Sequence, residues 1–542
     1  MLKEGSLIGK KRASFIPTLP QVLSNIKKLH PEKEENPTIP IKHATALREI
    51  FPKTFKQPLI KFSERDEPYT DQALTVGVVF SGGPAAGGHN VIAGIYDSLK
   101  KIHPESRLIG FIGGPKGIIE NQSTILNEEI IAPYRNQGGF DLIGTGREKI
   151  EKESDFQAAE QTVKQQKLDG LVIIGGDDSN TNAALLAEYF LDRGVNCRVI
   201  GVPKTIDGDL QNDYVEISFG FDTATKTYSE LIGNLQRDAL SANKYYFFVK
   251  LMGRSASHIA LECAHNTHPN ITLIGEEIAA EQKTFEQIIK EIADIICQRA
   301  LQEKNYGVIL IPEGIIEFIP EFNVLISDLN SLLSPDKNHA VELEKKASNN
   351  EKIEYIASNL SNESRSCFLS LTPEIQRQLL LQRDAHGNVP VSKIETEKLF
   401  LDAVKNELIK RKSNNKYTGK FNAQALFYGY EGRCGYPTNF DTHYCYALGF
   451  AATLLIHVKC TGYMACICNL DQSPIDWGVM GVPLIPLMHI EERQGKAKPV
   501  IKKTLVNLTG KSFEHFKKDR MHWAINDDYQ YPGPIQFFNL QE

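Results

Sequence analysis

The sequence has no disulfide framework: nine cysteines are scattered through 542 residues, which argues against a stapled secreted domain and suits a reducing cytosol. Cys460, Cys466 and Cys468 lie close together, but Cys-x-Cys with one outlier is poor zinc spacing, and small buried thiols are the simpler account. There is no basic excess. With a net charge of −6 and a pI near 6.2, nothing recommends nucleic acid or an anionic membrane as a partner. Long apolar runs are also missing: the most apolar stretch, Tyr446 to Val458, is too short to cross a bilayer and reads as a buried helix. The N-terminal residues up to Arg12 lack the apolar core of a signal peptide. A soluble, cytoplasmic protein is therefore expected, with no membrane segment and no repeat of solenoid period. At this length the chain can form two or more domains with sizeable cores.

What is present is concentrated in residues 168–213. The apolar run Leu171 to Ile174 stops at Gly175-Gly176-Asp177-Asp178, and a helix-like stretch, Thr181 to Phe190, follows. A buried parallel strand, a glycine turn and a helix N-terminus fit that pattern. Such a turn presents backbone N–H groups and the positive end of a helix, which suits phosphate. Two adjacent carboxylates there would repel a bare phosphate; they make sense if one holds a divalent cation, magnesium above all. The strand Arg198 to Val202 repeats the geometry, and Pro203-Lys204-Thr205-Ile206-Asp207-Gly208-Asp209 follows it. Either half alone also reads as an ordinary β–α turn, where Gly, Asp and Asn are common. Together they point to phosphoryl transfer.

Taken in order, residues 1–70 are rich in Pro, Lys and Glu and read as an extension, with one helix-like patch from Gln21 to Leu29. Thr75 to Phe80 is a strand that ends in Ser81-Gly82-Gly83-Pro-Ala-Ala-Gly-Gly, ahead of a helix from Val91 to Lys101. This is a phosphate cradle without the Gly-Lys-Ser/Thr of a Walker loop. Gly144-Thr-Gly-Arg147 sets a guanidinium after another glycine turn, although a surface arginine is an equal reading. Alternating strands and helices imply a parallel sheet covered on both faces. A second α/β set runs from Tyr228 through the strand Asn243 to Lys250 and the helices Ser257 to Ala264 and Thr284 to Lys304, up to Pro312-Glu313-Gly314. His258, His265 and His268 in this set read as structural. Residues 320–420 lack glycine-ended strands and read as an inserted helical region with solvated charged faces. Site-like residues return at Tyr428-Gly-Tyr430-Glu431-Gly432-Arg433.

The ordered set Phe80-Ser-Gly-Gly-Pro, Gly-Gly-Asp-Asp, Pro-Lys-Thr-Ile-Asp-Gly-Asp, Met252-Gly253-Arg254, Pro-Glu-Gly and Tyr-Glu-Gly-Arg resembles the phosphofructokinase family, in its long-form, pyrophosphate-dependent branch. The resemblance implies two Rossmann-like parallel-sheet domains and transfer of a phosphoryl group from pyrophosphate to the 1-hydroxyl of fructose 6-phosphate. It assigns residues 71–227, completed by part of 441–500, to the donor domain. Residues 228–319 with 421–440 become the sugar-phosphate domain, 320–420 the insertion and 501–542 a C-terminal tail. Asp207 is then the base, assisted by Asp209. Lys204 and Asp178 are catalytic, Gly82, Gly83 and Arg147 meet the donor, and Asp177 holds Mg2+. The sugar phosphate falls to Thr205, Ile206, Asp207, Lys244, Tyr245, Met252, Gly253, Arg254, Glu313, Tyr430, Glu431, Gly432 and Arg433. Relatives use the Lys244–Tyr245 pair to reach a neighbouring subunit's site, so a homodimer or higher homo-oligomer is implied.

Nucleotide-dependent relatives usually carry Gly at the positions of Asp178 and Lys204. The Asp178 carboxylate puts bulk and charge where the α-phosphate of ATP would lie. An ATP-dependent enzyme is the nearest alternative. A non-catalytic regulatory subunit is another, which the presence of Asp177, Asp178, Asp207 and Asp209 argues against. A lipid or NAD kinase would share a Gly-Gly-Asp turn but not the remaining motifs.

Overall fold

The computed structural model describes residues 7–40, 42–70, 72–334, 338–380, 389–493 and 496–534. In chain order the strands are β1 (Leu29–Pro37), β2 (Pro58–Glu64), β3 (Thr75–Phe80), β4 (Arg107–Phe111), β5 (Ser123–Leu126), β6 (Gly170–Gly175), β7 (Arg198–Pro203), β8 (Tyr245–Leu251), β9 (Ile271–Thr272), β10 (Tyr306–Pro312), β11 (Ala423–Tyr428), β12 (Tyr463–Cys468), β13 (Gly478–Pro483), β14 (Met488–Arg493) and β15 (Lys496–Ile501). Two compact units divide them. In their described parts, the first comprises residues 7–224 and 431–504, and the second residues 225–430 and 505–534.

The first unit holds a nine-stranded sheet in the order β1-β2-β13-β12-β7-β6-β3-β4-β5. Its centre, β12-β7-β6-β3-β4, is parallel, as the uniformly apolar runs predict. Its flanks are antiparallel. Residues 1–70 thus do more than trail: β1 and β2 extend the sheet, and Pro31 is tolerated because β1 is an edge strand. The helix-like patch Gln21 to Leu29 is two short 3-10 turns, Gln21–Leu23 and Ile26–Lys28. Between Gly94 and Gly449 the helices Gly88–Ile102 and Asn439–His457 approach so closely that a Cβ on either glycine would strike backbone of the other helix at 2.2–2.3 Å.

The second unit has an all-parallel sheet, β11-β8-β10-β9. Residues 320–420 are helical in their described parts, and they are not a solvated appendage. Phe368, Ile394, Phe400 and Val404 are fully buried in one cluster with Phe248, Ile309 and Ile311 of the sheet. The stretch after Leu505 forms the helix Lys511–Asn526, whose Phe513, Phe516 and Trp523 pack with Leu261 and Ala264. No helix among the described residues is long and apolar enough to cross a membrane.

Candidate active site

In the first unit three strands, β3, β6 and β7, deliver their carboxyl ends to one place. Ser81 N–H donates to the Ile174 carbonyl (2.9 Å), and Lys204 N–H donates to the Gly175 carbonyl (3.0 Å). Asn180, fully buried, donates through Nδ2 to the Gly175 and Gly176 carbonyls at 2.6 and 2.9 Å, so the glycine turn is held from below. The helix that follows begins at Asp177, four residues earlier than its apolar pattern suggests, with Gly176 as N-cap. Asp177 and Asp178 therefore occupy the first turn, where helix N–H groups favour negative charge. Gly144-Thr-Gly joins the same loop: Gly82 N–H donates to the Gly146 carbonyl, and Thr145 Oγ1 donates to the Gly82 carbonyl, both at 2.8 Å. Ser179 Oγ meets Ser81 Oγ at 2.8 Å.

Positive φ requires glycine at Gly82, and two cations lie over Gly82 and Gly83. Gly82 has φ +88, and a Cβ there would stand 3.2 Å from the Lys204 ammonium. A Cβ on Gly83 would stand 3.5 Å from Cζ of Arg433. Lys204 is buried, and burial lowers its pKa to about 8; Asp207 and Asp177 oppose that shift, while Arg433 and Arg147 add to it. Lys204 and Arg433 thus stand over glycines that have no side chains, with Arg147 adding positive charge, an arrangement that an anion would relieve.

On the other side are carboxylates. Burial and the neighbouring Asp207 push the Asp209 carboxyl well up, and Lys503 pulls it back. The Lys503 ammonium lies 3.7 Å from Asp177 Oδ2 and 3.8 Å from Asp209 Oδ2. It is fixed from both sides, since Ile501 N–H donates to Thr181 Oγ1 (3.2 Å) and Thr504 N–H donates to the Asp209 carbonyl (2.8 Å). Lys149 pairs with Asp178 at 3.2 Å. Sequence reasoning missed Lys149 and Lys503, because neither sits in a glycine turn. Among the described residues no three His, Cys, Asp or Glu are grouped to hold a metal ion by themselves. Asp177 and Asp209 both face the Lys503 ammonium, and a carboxylate such as Asp177 fits a magnesium ion that takes most of its coordination from substrate phosphates and water, the usual way that ion is bound.

In the second unit the carboxyl ends of β8, β10 and β11 gather Met252, Gly253, Arg254, Glu313 and Tyr430. Glu313 is buried, and Gly253 N–H donates to its Oε2 at 3.1 Å. Met252 N–H donates to the Tyr428 carbonyl (3.0 Å). A Cβ on Gly314 would strike the Arg254 carbonyl oxygen at 1.9 Å. Arg254 and Tyr430 are exposed. Lys244 and Tyr245 do not join this group: they stand at the amino end of β8, roughly 20 Å away along the strand. The tetrapeptide Tyr430–Arg433 is split by the boundary between the units, so Glu431, Gly432 and Arg433 belong to the first. The domain limits read from sequence placed all four together with the sugar-phosphate residues.

The phosphofructokinase family profile matches residues 75–456. A pyrophosphate–fructose 6-phosphate 1-phosphotransferase of Treponema pallidum is 49% identical over 542 residues, covering 98% of this chain and 94% of its own. The beta subunit of the enzyme with that name in Solanum tuberosum is 50% identical over 497 residues, covering 91% of this chain and 85% of its own. Among solved structures, a pyrophosphate-dependent phosphofructokinase of Nitrosospira multiformis superposes with a TM-score of 0.55 at 15% identity, over 86% of this chain and 96% of that one, a likeness of fold.

Proposed function

This chain belongs to the phosphofructokinase family, and we propose that it transfers a phosphoryl group from pyrophosphate to the 1-hydroxyl of fructose 6-phosphate, giving fructose 1,6-bisphosphate and phosphate. The observation that carries the reading is the Lys204 ammonium, buried over the bare backbone of Gly82 three residues before Asp207. The near full-length relatives whose names state this reaction support it. The reaction is a step of glycolysis and runs in either direction.

The sugar oxygen attacks the terminal phosphorus, the bond to the departing phosphate breaks, and Asp207 takes the hydroxyl proton as attack proceeds. Gly82 and Gly83, having no side chains, let the donor approach the backbone. Lys204, Arg147 and Arg433 hold negative charge that grows on the leaving phosphate. A magnesium ion held through Asp177, when bound, neutralises phosphate charge. Asp178 narrows the space that a nucleotide would need. Thr205 and Ile206 line the approach to Asp207. In the second unit Arg254 serves the sugar phosphate, because a guanidinium fork matches a dianion. Glu313 and Tyr430 face the sugar hydroxyls, and Met252-Gly253 leaves room for them. Lys244 and Tyr245, at the far end of β8, are assigned to a neighbouring copy in a homodimer or larger homo-oligomer. A cytoplasmic location suits this chemistry.

Purified full-length protein assayed with fructose 6-phosphate tests the proposal. Product should form with pyrophosphate and magnesium, and ATP should be roughly 100-fold or more poorer in kcat/KM. Equal use of ATP would overturn the donor assignment, and no turnover with either donor would overturn the function.

A further inference from the structure

The first unit carries a second concentration of positive charge, remote in sequence from every donor residue. A cavity of about 650 Å³ opens between β1, β2, the turn at residues 52–57 and the end of the helix Asn439–His457. Among the described residues, Lys33, Arg48, Lys53, Lys56 and Lys459 line it, and no Asp or Glu does. The chain as a whole has more Asp and Glu (67) than Lys and Arg (61), so five cations to no anion is not its average surface. Two acids beside it are engaged elsewhere. Glu34 pairs with Lys61 at 2.8 Å. The Glu188 carboxylate is buried and accepts from the backbone N–H groups of Lys53 (2.7 Å) and Thr54 (3.0 Å).

We propose that this groove binds a small molecule carrying two or more phosphate groups. Five cations around one cavity repel each other and are stabilised together by a multivalent anion. Four of them are lysines, point charges on flexible stems that meet phosphate oxygens from several directions, rather than arginine forks set for one carboxylate. Tyr69 and the edge of Phe55 supply an apolar wall for a carbon body, and the volume suits a metabolite. The groove is anchored rather than loose. Gln57 Nε2 donates to the Thr461 carbonyl (2.9 Å), and Val199 N–H of β7 donates to Thr461 Oγ1 (2.9 Å). The site therefore rests on the amino end of the strand whose carboxyl end leads to Lys204.

Hydrogen–deuterium exchange of the full chain with inorganic tripolyphosphate, at constant ionic strength, tests this directly. Exchange should slow in residues 29–36, 52–58 and 458–463. The Lys33→Glu/Lys56→Glu variant should lose that protection and bind at least about tenfold more weakly there, with kcat for pyrophosphate unchanged. Both lysines are exposed, and the Lys33→Gln/Lys56→Gln pair gives the same reading if charge reversal impairs folding. Protection confined to residues 81–83 and 203–209 would place all binding at the donor glycines and overturn the proposal. So would groove protection that survives in both variants, or a change in assembly mass without any change in tripolyphosphate binding.

Discussion

The Lys503 ammonium lies 3.7 Å from a carboxylate oxygen of Asp177, although most of the chain separates the two residues. It also stands 3.8 Å from Asp209. Lys503 and a divalent cation compete for the same oxygens. In Lys503→Ala the half-saturating magnesium concentration should fall and KM for pyrophosphate should rise several-fold; Lys503→Arg should restore both. Magnesium titrations of the initial rate at fixed pyrophosphate measure this. Unchanged midpoints in Lys503→Ala would show that this lysine does not act on the carboxylates.

Asp207→Ala should fold and lose turnover by about 10² to 10⁴, the usual effect of removing a general base. Asp207 is half-buried, with its own N–H bonded to Thr205 Oγ1 at 3.1 Å, so the loop should survive the change. Circular dichroism checks the fold and steady-state kinetics checks the loss. Retention of more than about a tenth of kcat would remove Asp207 from the role of base.

Donor choice should respond to two positions differently. Asp178→Gly should open space for ATP, although the partner left behind, Lys149, will lie unpaired from it. Lys204→Gly should cut kcat with pyrophosphate by about 10² to 10³. The double variant should therefore shift preference toward ATP further than Asp178→Gly does, read as kcat/KM for both donors. Because burial lowers Lys204 to about 8, its ammonium is present below that pH and lost above it. In wild type kcat/KM for pyrophosphate should fall as pH rises through that value, and Lys204→Arg, which stays charged, should flatten the limb.

The helical region 320–420 should matter for stability and not for substrate. Phe400 is fully buried in the core of the second unit, so Phe400→Ala should cost about 3 to 5 kcal/mol. Exchanging the exposed Lys405 and Lys410 for Glu should leave KM for both substrates unchanged. Denaturant melts and substrate titrations report the two effects, and a several-fold KM change in a stable variant would tie the region to catalysis.

Acid should weaken the first unit through His89. Its Nδ1 lies 3.2 Å from the Gln137 carbonyl and its Nε2 accepts from Leu142 N–H (3.3 Å), so the ring is buried neutral. Burial pushes its pKa down to about 4. The unfolded chain then takes up a proton first, and stability falls as pH drops from about 6.5 toward 4. One such group contributes on the order of 3 kcal/mol across that window. His443 and His457 act in the same direction. His89→Gln should make the thermal midpoint less dependent on pH between 4 and 6.5; an unaltered slope would exclude His89 as a source of acid lability.

The sequence by itself determined the strands that carry chemistry. The runs Thr75–Phe80, Gly170–Gly175, Arg198–Pro203 and Tyr306–Pro312 are short, apolar and closed by glycine, proline or a charged residue. A strand buried on both faces must be apolar along its length, and its end must turn sharply, so fold and site are written in the same few residues. What only the tertiary structure decided lies where no local pattern exists. The polar segment Leu29–Pro37 is a strand because β2 offers it an edge, and an edge strand tolerates proline and charge. The region 320–420 reads as charged helices, yet its apolar residues complete the core of the second unit. Lys149 and Lys503 reach Asp178 and Asp177 by long-range packing, which periodicity and spacing do not encode. The break between Tyr430 and Glu431 follows from long-range contacts as well, which assign the two neighbours to different units.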